Sequence, residues 1–350
     1  MRRGEGEVPV RVAVYHSNSD VRVEERPVPR VGAGELLVKV WASGICGSDV
    51  MEWYRATRAP LVLGHEIGGE VVKAGKGVKG FRVGDRVFVS HHVPCEECHY
   101  CERDHATVCD LLRKTNYDPG GFAEFVRVPA VNAKLGTYKL PDSMSYEEAV
   151  FIEPLGCVYR GQRRAGLREG DSVLVMGAGL AGLLHIKLDK AMGASRIMAT
   201  DVLKARRKAA LRSGADEAFD AKGDVHGMVR EANDGRLADL VVVATGAKSA
   251  LGQALDCVDR GGTVLFFAPT DPAYELPIPF NRVWANEVSI VTTYGASPKD
   301  LEAAIKLISS GRVTVKDMVT HRLPLSRIQE GFDLTANPVD SLKVIIEPQR

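Results

Sequence analysis

Four of the chain's seven cysteines lie within "PCEECHYCERDHATVC", residues 94–109. Cys95, Cys98 and Cys101 are each separated by two residues, and Cys109 follows after seven more. Thiols at this density hold a catalytic or structural metal, knot disulfides, or build a nucleic-acid-binding zinc knuckle. A second set is dispersed: Cys46 and Ser48 in "GICGSD", His65 and Glu66 in "GHE", and Glu153 in "EPLGC". Taken singly these read as a core thiol, a loop serine, a satisfied histidine and a helix-face charge. Taken together with a dinucleotide fold they make a mixed sulfur, nitrogen and oxygen donor set suited to catalytic zinc.

A third feature supplies that fold. "VLVMGAGLAG" puts Gly177, Gly179 and Gly182 after a strand and before a helix. Gly177 permits the tight turn, Gly179 admits a pyrophosphate to the backbone, and Gly182 lets helix and strand pack closely. The helix N-terminus, with Leu180 and Ala181, then turns unpaired N–H groups toward the phosphates. Asp201 ends the next strand, 24 residues on (201 − 177), where a carboxylate binds the adenosine ribose. A 2′-phosphate ~4 Å from that carboxylate meets about 4 kcal/mol of repulsion at an effective dielectric of 20, so NAD is favoured over NADP. Arg206 and Thr245 are further candidates for the cofactor site. Lys204 and Arg207 read as a solvated helix face.

The elements that position these groups fall into two textures. Residues 8 to 140 read as short strands broken by glycine, such as "VPVRVAVY", "LLVKVWASGIC" and "EIGGEVVKAG", with turns at Gly32-Ala33-Gly34 and Gly75-Lys76-Gly77. "SYEEAVFI" opens a helix with a capping box, Ser145 and Glu148, which Pro154 is expected to kink or interrupt. From Ser172 strands and helices alternate, which implies a doubly wound parallel sheet. "ALGQALDCVDRGG" reads there as helix before the strand "TVLFFAP", and Ser297-Pro298 starts a late helix.

The bulk numbers exclude several classes. A chain of 350 residues, 45% apolar and 26% charged, is ordinary globular material for about two domains. A net charge of +1 gives no field toward nucleic acid or anionic membrane. "MRRGEGEVPVRVAVY" has no apolar run that would make a signal peptide, and "LVVVAT" is too short to span a bilayer. With cysteines clustered as metal ligands would be, a reducing cytoplasm is expected.

The chain resembles the zinc-dependent medium-chain alcohol and polyol dehydrogenases. "GICGSD", "GHEIGGEVV", "VGDRV", the four-cysteine lobe, "GGFAEF", "EPLG" and "GAGLAG" occur in that family's order over essentially the whole length. The glutamate of "EPLG" resembles the sorbitol dehydrogenase branch, which leaves Cys157 buried beside it; Cys257 reads as a core thiol. The resemblance implies a GroES-like β-rich catalytic domain, residues 1–154 and 296–350 with the lobe at 94–109, and a Rossmann NAD-binding domain, 155–295. It also implies two zinc ions per subunit. Four thiolates fill zinc's tetrahedron, so Cys95, Cys98, Cys101 and Cys109 should hold a closed structural ion, softened by Arg103, His99 and His105. Cys46, His65 and carboxylates from Glu66 or Glu153 would hold the catalytic one.

That reading implies a secondary alcohol oxidised to a ketone by hydride transfer to NAD, with Ser48 relaying the hydroxyl proton. Glu66 either binds zinc transiently or acts from beside it, and Glu153 binds directly or through water. Two positions depart from nearer relatives. Met51 stands where many members carry the histidine that ends the proton path. Thr293-Tyr294 stands where sorbitol-oxidising members carry an Arg-Tyr pair. Polyols, sugar-alcohol phosphates, amino alcohols such as threonine, and simple secondary alcohols therefore all stay open. Tyr54, Asn116, Tyr117 and Tyr294 are candidates for the pocket wall. A zinc-free quinone reductase is disfavoured because such members lack Cys46, His65 and Glu66, and retention of that set argues against a non-enzymatic NAD-binding protein. A homodimer or homotetramer is expected.

Overall fold

The computed structural model describes residues 9–350; "MRRGEGE" and Val8, which opens the run "VPVRVAVY", lie outside the described residues. Up to residue 140 the chain forms β1 (Val10–Ser17), β2 (Asp20–Arg26), β3 (Leu36–Gly44), β4 (Leu61–Val62), β5 (Glu66–Ala74), β6 (Arg86–Ser90), β7 (Phe125–Val128) and β8 (Thr137–Lys139). β1 and β2 make an antiparallel hairpin edged by β4. β3, β5, β6 and β8 are successive antiparallel neighbours in a second sheet, and β7 adds to β3. Val14, Val38, Ile67, Val87, Val89 and Phe122 close the core of this unit. Short helices punctuate the loops, at Glu52–Arg55, His99–Glu102 and Ala130–Leu135.

The second unit carries β9 (Ser172–Met176), β10 (Arg196–Asp201), β11 (Glu217–Asp220), β12 (Ala238–Val243), β13 (Val258–Phe266) and β14 (Ser289–Thr292). They form one parallel sheet in the order β11-β10-β9-β12-β13-β14, with helices in the connections. β9 is buried throughout, as a central strand covered on both faces must be. The order reverses between β9 and β12, the topological switch point at which such sheets take their ligands. The chain then returns to the first unit with β15 (Val319–Pro324) and β16 (Lys343–Glu347), and β16 docks beside β3.

The compact units are the described residues up to Pro154 with Ser297–Ser309 and Val315–Arg350, and Leu155–Ala296 with Ser310–Thr314. No helix among the described residues is long and apolar enough to cross a membrane.

Two local expectations need correcting. The helix that starts at the Ser145–Glu148 capping box ends at Ala149, before the proline. Pro154 instead lies in the first turn of the next helix, Ile152–Ala165, where a missing N–H costs nothing. The helix Lys248–Cys257 also stops earlier than its pattern suggests. Val258 pairs with Ala238 in the parallel ladder, and Gly261 at φ 73° absorbs an irregularity before Thr263 rejoins it. Pairing with β12 overrides the local helical pattern of "DCVDR".

Candidate functional site

Gly44 ends β3 and Glu66 begins β5, and the two are antiparallel partners. That register brings the segments after β3 and before β5 together, and with them Cys46 and His65. One ligand atom each from Cys46, His65 and Glu66 lies within 4.8 Å of the others. The thiol, imidazole and carboxylate fit a zinc ion with an open position. Glu153 lies outside that triad, half-buried in the first turn of its helix.

Behind the triad sits Asp49, fully buried. One of its oxygens accepts from Cys46 N at 3.0 Å; the other lies 3.4 Å from both His65 Nδ1 and Arg55 Nη2. Burial alone raises its carboxyl pKa, but His65, Arg55 and the Cys46 N–H outweigh that and hold it below the usual range. Burial lowers His65, yet Asp49 and the Cys46 thiol raise it well above an ordinary imidazole. A carboxylate on the far nitrogen of a ligating histidine fixes its tautomer and ring orientation. Asp49 stood in the quoted motif, and its place three residues after a ligand cysteine was the available signal.

Arg55 reaches back over Ser48. Its Nε donates to Ser48 O at 2.9 Å and its Nη2 to Ser48 Oγ at 3.0 Å. Guanidinium has no acceptor, so Ser48 Oγ accepts there and its own hydrogen points elsewhere. Ser48 N in turn donates to Cys46 Sγ at 3.5 Å. Met51 is half-buried just beyond.

His91 and His92, at the end of β6, were not singled out from the sequence. The His91 ring lies 4.9 Å from His65 and 3.8 Å from His92, centroid to centroid. Burial keeps His91 well below the normal imidazole pKa and pushes His92 down to about 4. Both are therefore neutral donors or acceptors near neutral pH. Tyr117 is buried, and burial with the charges of Asp49, Glu153 and Glu66 raises its phenol well above normal. Of the other pocket candidates, Tyr54 lies under the Arg55 guanidinium, Asn116 is exposed, and Tyr294 belongs to the second unit and is half-exposed.

In the cysteine lobe, sulfur separations are 3.5 Å for Cys98–Cys101, 3.6 Å for Cys95–Cys109 and 3.9 Å for Cys95–Cys101. A tetrahedron with Zn–S bonds of about 2.3 Å has edges of about 3.8 Å. A disulfide needs about 2.05 Å. None of the seven cysteines is in a disulfide, so this is metal geometry rather than a disulfide knot. Burial raises the Cys109 thiol, but N–H groups of Cys95, Leu112 and Leu111 overcome it and bring the pKa to about 6. Backbone donors thus soften the thiolate charge, and Arg103 spends its guanidinium on the His99 ring. Cys257 is buried in the core of the second unit, and burial pushes its pKa to about 12. Cys157 is half-buried rather than buried.

The dinucleotide turn has the geometry its glycines require. Gly177 sits at φ 93°, and a Cβ there would lie 2.9 Å from Thr245 Cβ. A Cβ on Gly182 would overlap Gly177 O at 1.8 Å. The helix Leu180–Met192 starts on Gly179, whose Cα faces Arg206 Nη1. Asp201 accepts from Ala178 N at 2.9 Å and Leu203 N at 2.8 Å, with Arg206 3.8 Å away. Arg207 is no solvated residue: it donates to Asp201 O and pairs with Asp220 at 3.1 Å, tying β10 to β11.

Comparison with known proteins adds three findings. Residues 32–142 match the alcohol dehydrogenase GroES-like domain, and residues 181–310 match the zinc-binding dehydrogenase family. Sorbitol dehydrogenase of Bombyx mori is 33% identical over 96% of this chain and 98% of its own length. Among solved structures, an alcohol dehydrogenase of Thermus sp. ATN1 is 32% identical, with a TM-score of 0.85 over 96% of this chain and 99% of that one. A zinc-binding dehydrogenase of Sinorhizobium meliloti 1021 bound to NADP is 26% identical, with a TM-score of 0.87 over 97% of this chain and 100% of that one.

Proposed function

The chain belongs to the zinc-dependent alcohol and polyol dehydrogenases, and from that premise we propose that it interconverts a secondary alcohol, a polyol or sugar-alcohol derivative, and its ketone by hydride transfer to or from NAD. The observation that carries this reading is the triad of Cys46, His65 and Glu66 beside Ser48, in a chain that also has the full glycine turn and Asp201. We take residues 1–154 and 296–350 as the catalytic domain and 155–295 as the NAD-binding domain.

Cys46 and His65 hold the catalytic zinc in this proposal, with Glu66 or Glu153 completing its shell, and Cys95, Cys98, Cys101 and Cys109 hold the structural one. When bound, the catalytic ion supplies Lewis acidity to the alcohol oxygen. Asp49 orients His65. Ser48 takes the alcohol proton at Oγ while Arg55 holds that oxygen as an acceptor, so the hydroxyl can pass its own hydrogen onward. Gly177, Gly179, Leu180, Ala181 and Gly182 carry the pyrophosphate, with Thr245 and Arg206 at its sides. Asp201 carries the adenosine ribose and favours NAD, although a relative of similar fold is bound to NADP.

A homodimer or homotetramer fits two features of the second unit. β14 is an edge strand, and Phe280 and Trp284 on the preceding helix are 70% and 71% exposed. An edge strand offers unpaired backbone groups, and exposed apolar side chains offer surface that a second copy can cover. A cytoplasmic location fits seven cysteines outside any disulfide.

The test is metal content together with NAD reduction on a panel of polyols, their phosphates and amino alcohols. Two zinc ions per chain and turnover of one substrate class are expected. No turnover of any secondary alcohol by the zinc-loaded protein overturns the reading.

A further inference from the structure

Residues 51–58, "MEWYRATR", lie between Ser48 and His65 in the chain and carry two arginines that share one ring. The guanidinium carbon of Arg55 lies 4.7 Å from the Tyr54 ring centre, and that of Arg58 lies 5.5 Å from it. Their surroundings differ. Arg55 is held by Ser48 and by the buried carboxylate of Asp49. Arg58 is exposed, and no carboxylate or other hydrogen-bond acceptor meets it among the described residues. Glu52, on the same short helix as Arg55, pairs with neither arginine. Two cations against one ring repel each other, and Asp49 offsets only the first. The fork of N–H donors on Arg58 is left unspent.

The charge of Arg58 reaches the site. After burial, the charges of His65, Arg55 and Arg58 all hold the His92 imidazole down. The His92 ring lies 3.8 Å from His91, and His91 lies 4.9 Å from the metal-binding candidate His65. His91 Nδ1 is buried with no hydrogen-bond partner among the described residues. Outward from His65 there is thus an imidazole with an unmet nitrogen, a second imidazole and, within electrostatic reach of it, an unpaired guanidinium.

We infer that Arg58 is a specificity residue and that the substrate is a polyhydroxy acid, whose carboxylate pairs with Arg58 while its secondary hydroxyl reacts beside Ser48. This rests on the proposed dehydrogenase reaction, which it narrows from polyols in general. A guanidinium fork receives a carboxylate through two parallel hydrogen bonds. With Arg55 already offset by Asp49, one positive charge is left to match, which a carboxylate does and a phosphate carrying nearly two negative charges does not. His91 Nδ1 can meet a hydroxyl on the carbons between. The balance of the reaction is unchanged: a hydride goes to NAD, the hydroxyl proton leaves through Ser48, and the carboxylate is carried through intact.

The experiment compares kcat/KM, with NAD, for five- and six-carbon aldonates, the neutral polyols of matching configuration and the phosphate esters of those polyols. The aldonates should lead, and their KM should rise with salt while that of the neutral polyols does not. Arg58→Gln should lower the ratio of aldonate to polyol kcat/KM by about 10–100-fold, the scale of a hydrogen bond to a charged group. Arg58→Lys should retain part of the ratio, because it keeps the charge and loses the fork. Arg58 is exposed and bonds to no other described side chain, so both variants should fold. Calorimetry of aldonate binding to the protein loaded with zinc and NADH, which holds the alcohol without turning it over, should show the same loss in Kd. An unchanged ratio in Arg58→Gln, or a native preference for neutral polyols or phosphate esters, overturns the inference and leaves the dehydrogenase reading standing. No turnover of any of the three classes would instead refute that reading, and calorimetry would still decide whether Arg58 binds the carboxylate.

Discussion

Arg55 Nη2 lies 3.0 Å from Ser48 Oγ and can only donate to it. The same guanidinium stands 3.4 Å from Asp49, which lies the same distance from His65. One cation thus joins the residue proposed to move the proton with the residue proposed to orient a metal ligand. Arg55→Leu should lower kcat for alcohol oxidation by about 10²-fold or more, the lower end of the range for acid–base assistance, and leave KM for NAD little changed. Arg55→Lys should recover only part, because an ammonium cannot span both partners. An unchanged kcat in Arg55→Leu, with the chemical step limiting, would remove Arg55 from the proton path.

Asp49→Asn keeps the shape but removes the charge facing His65 and Arg55. It should weaken the labile zinc by about 10–100-fold without touching the ion of the cysteine lobe. Competition with a chelator whose zinc affinity is known measures this. Equal loss from both sites would make Asp49 a general fold residue.

The two metal sites should separate in their consequences. Cys98→Ser should lower expression and stability, because structural zinc contributes to folding. Cys46→Ser should leave a folded protein without turnover. Thermal melts and rates, measured on both variants with zinc counted per chain, decide whether the division holds.

How much of this was legible depends on what kind of contact each residue makes. Cys95, Cys98, Cys101 and Cys109 lie within one short loop region, so spacing alone displays them. Cys46, His65 and Glu66 sit at the ends of two paired strands, β3 and β5, and their residue types named the chemistry. The parallel sheet was visible in its alternating pattern. Arg55, His91 and Lys343 were not visible, because long-range register gives them their places. Lys343 looks like an ordinary strand residue until β16 docks beside β3 and carries it against Glu66. Asp49 was visible as a letter in a motif but not as a partner of His65. The boundary at Val258 escaped because pairing with β12 outweighs local propensity.

The second unit carries a pH prediction of its own. Gln162 Nε2 bridges two buried groups, His185 Nδ1 at 3.0 Å and Asp189 Oδ1 at 2.7 Å. Burial brings His185 down to about 3 and pushes Asp189 well above the carboxylate range. A folded pKa below the unfolded 6.5 means that His185 costs stability as pH falls from about 6.5 toward 3. A folded pKa above the unfolded 3.8 means that Asp189 gains stability as pH falls toward about 4. Between about pH 4 and 6.5 the two slopes oppose, each up to about 1.4 kcal/mol per pH unit. His185→Asn should therefore gain stability from pH 6.5 to 5, and Asp189→Asn should lose it, relative to the native protein. Urea midpoints at the two pH values check the signs, and parallel shifts in both variants would contradict the argument.

Cofactor choice should rest on Asp201. Its oxygens already accept from Ala178 N and Leu203 N, so Asp201→Ser will also loosen the turn. The informative quantity is therefore the ratio of kcat/KM for NADP to that for NAD, which should rise as the like charge is removed and Arg206 is left nearby. A native preference for NADP would show that Arg206 outweighs the carboxylate.

Met51 bears on where the proton goes after Ser48. A thioether cannot accept a proton onward, and Arg55 cannot accept one either. In the native protein water or another group must therefore collect the proton. An imidazole at position 51 adds an acceptor with a reference pKa near 6.5, close to working pH. Met51 is half-buried and immediately precedes the helix Glu52–Arg55, where its side chain makes no capping bond, so histidine can replace it without breaking one. Met51→His should raise oxidation rates most at low pH, where loss of the alcohol proton limits turnover, and change KM for NAD little. Ser48→Ala should remain inactive in this background, because the new imidazole acts only on a proton that Ser48 has delivered. If Met51→His leaves the pH–rate profile unchanged while the chemical step is limiting, the proton leaves elsewhere and position 51 belongs to the substrate pocket.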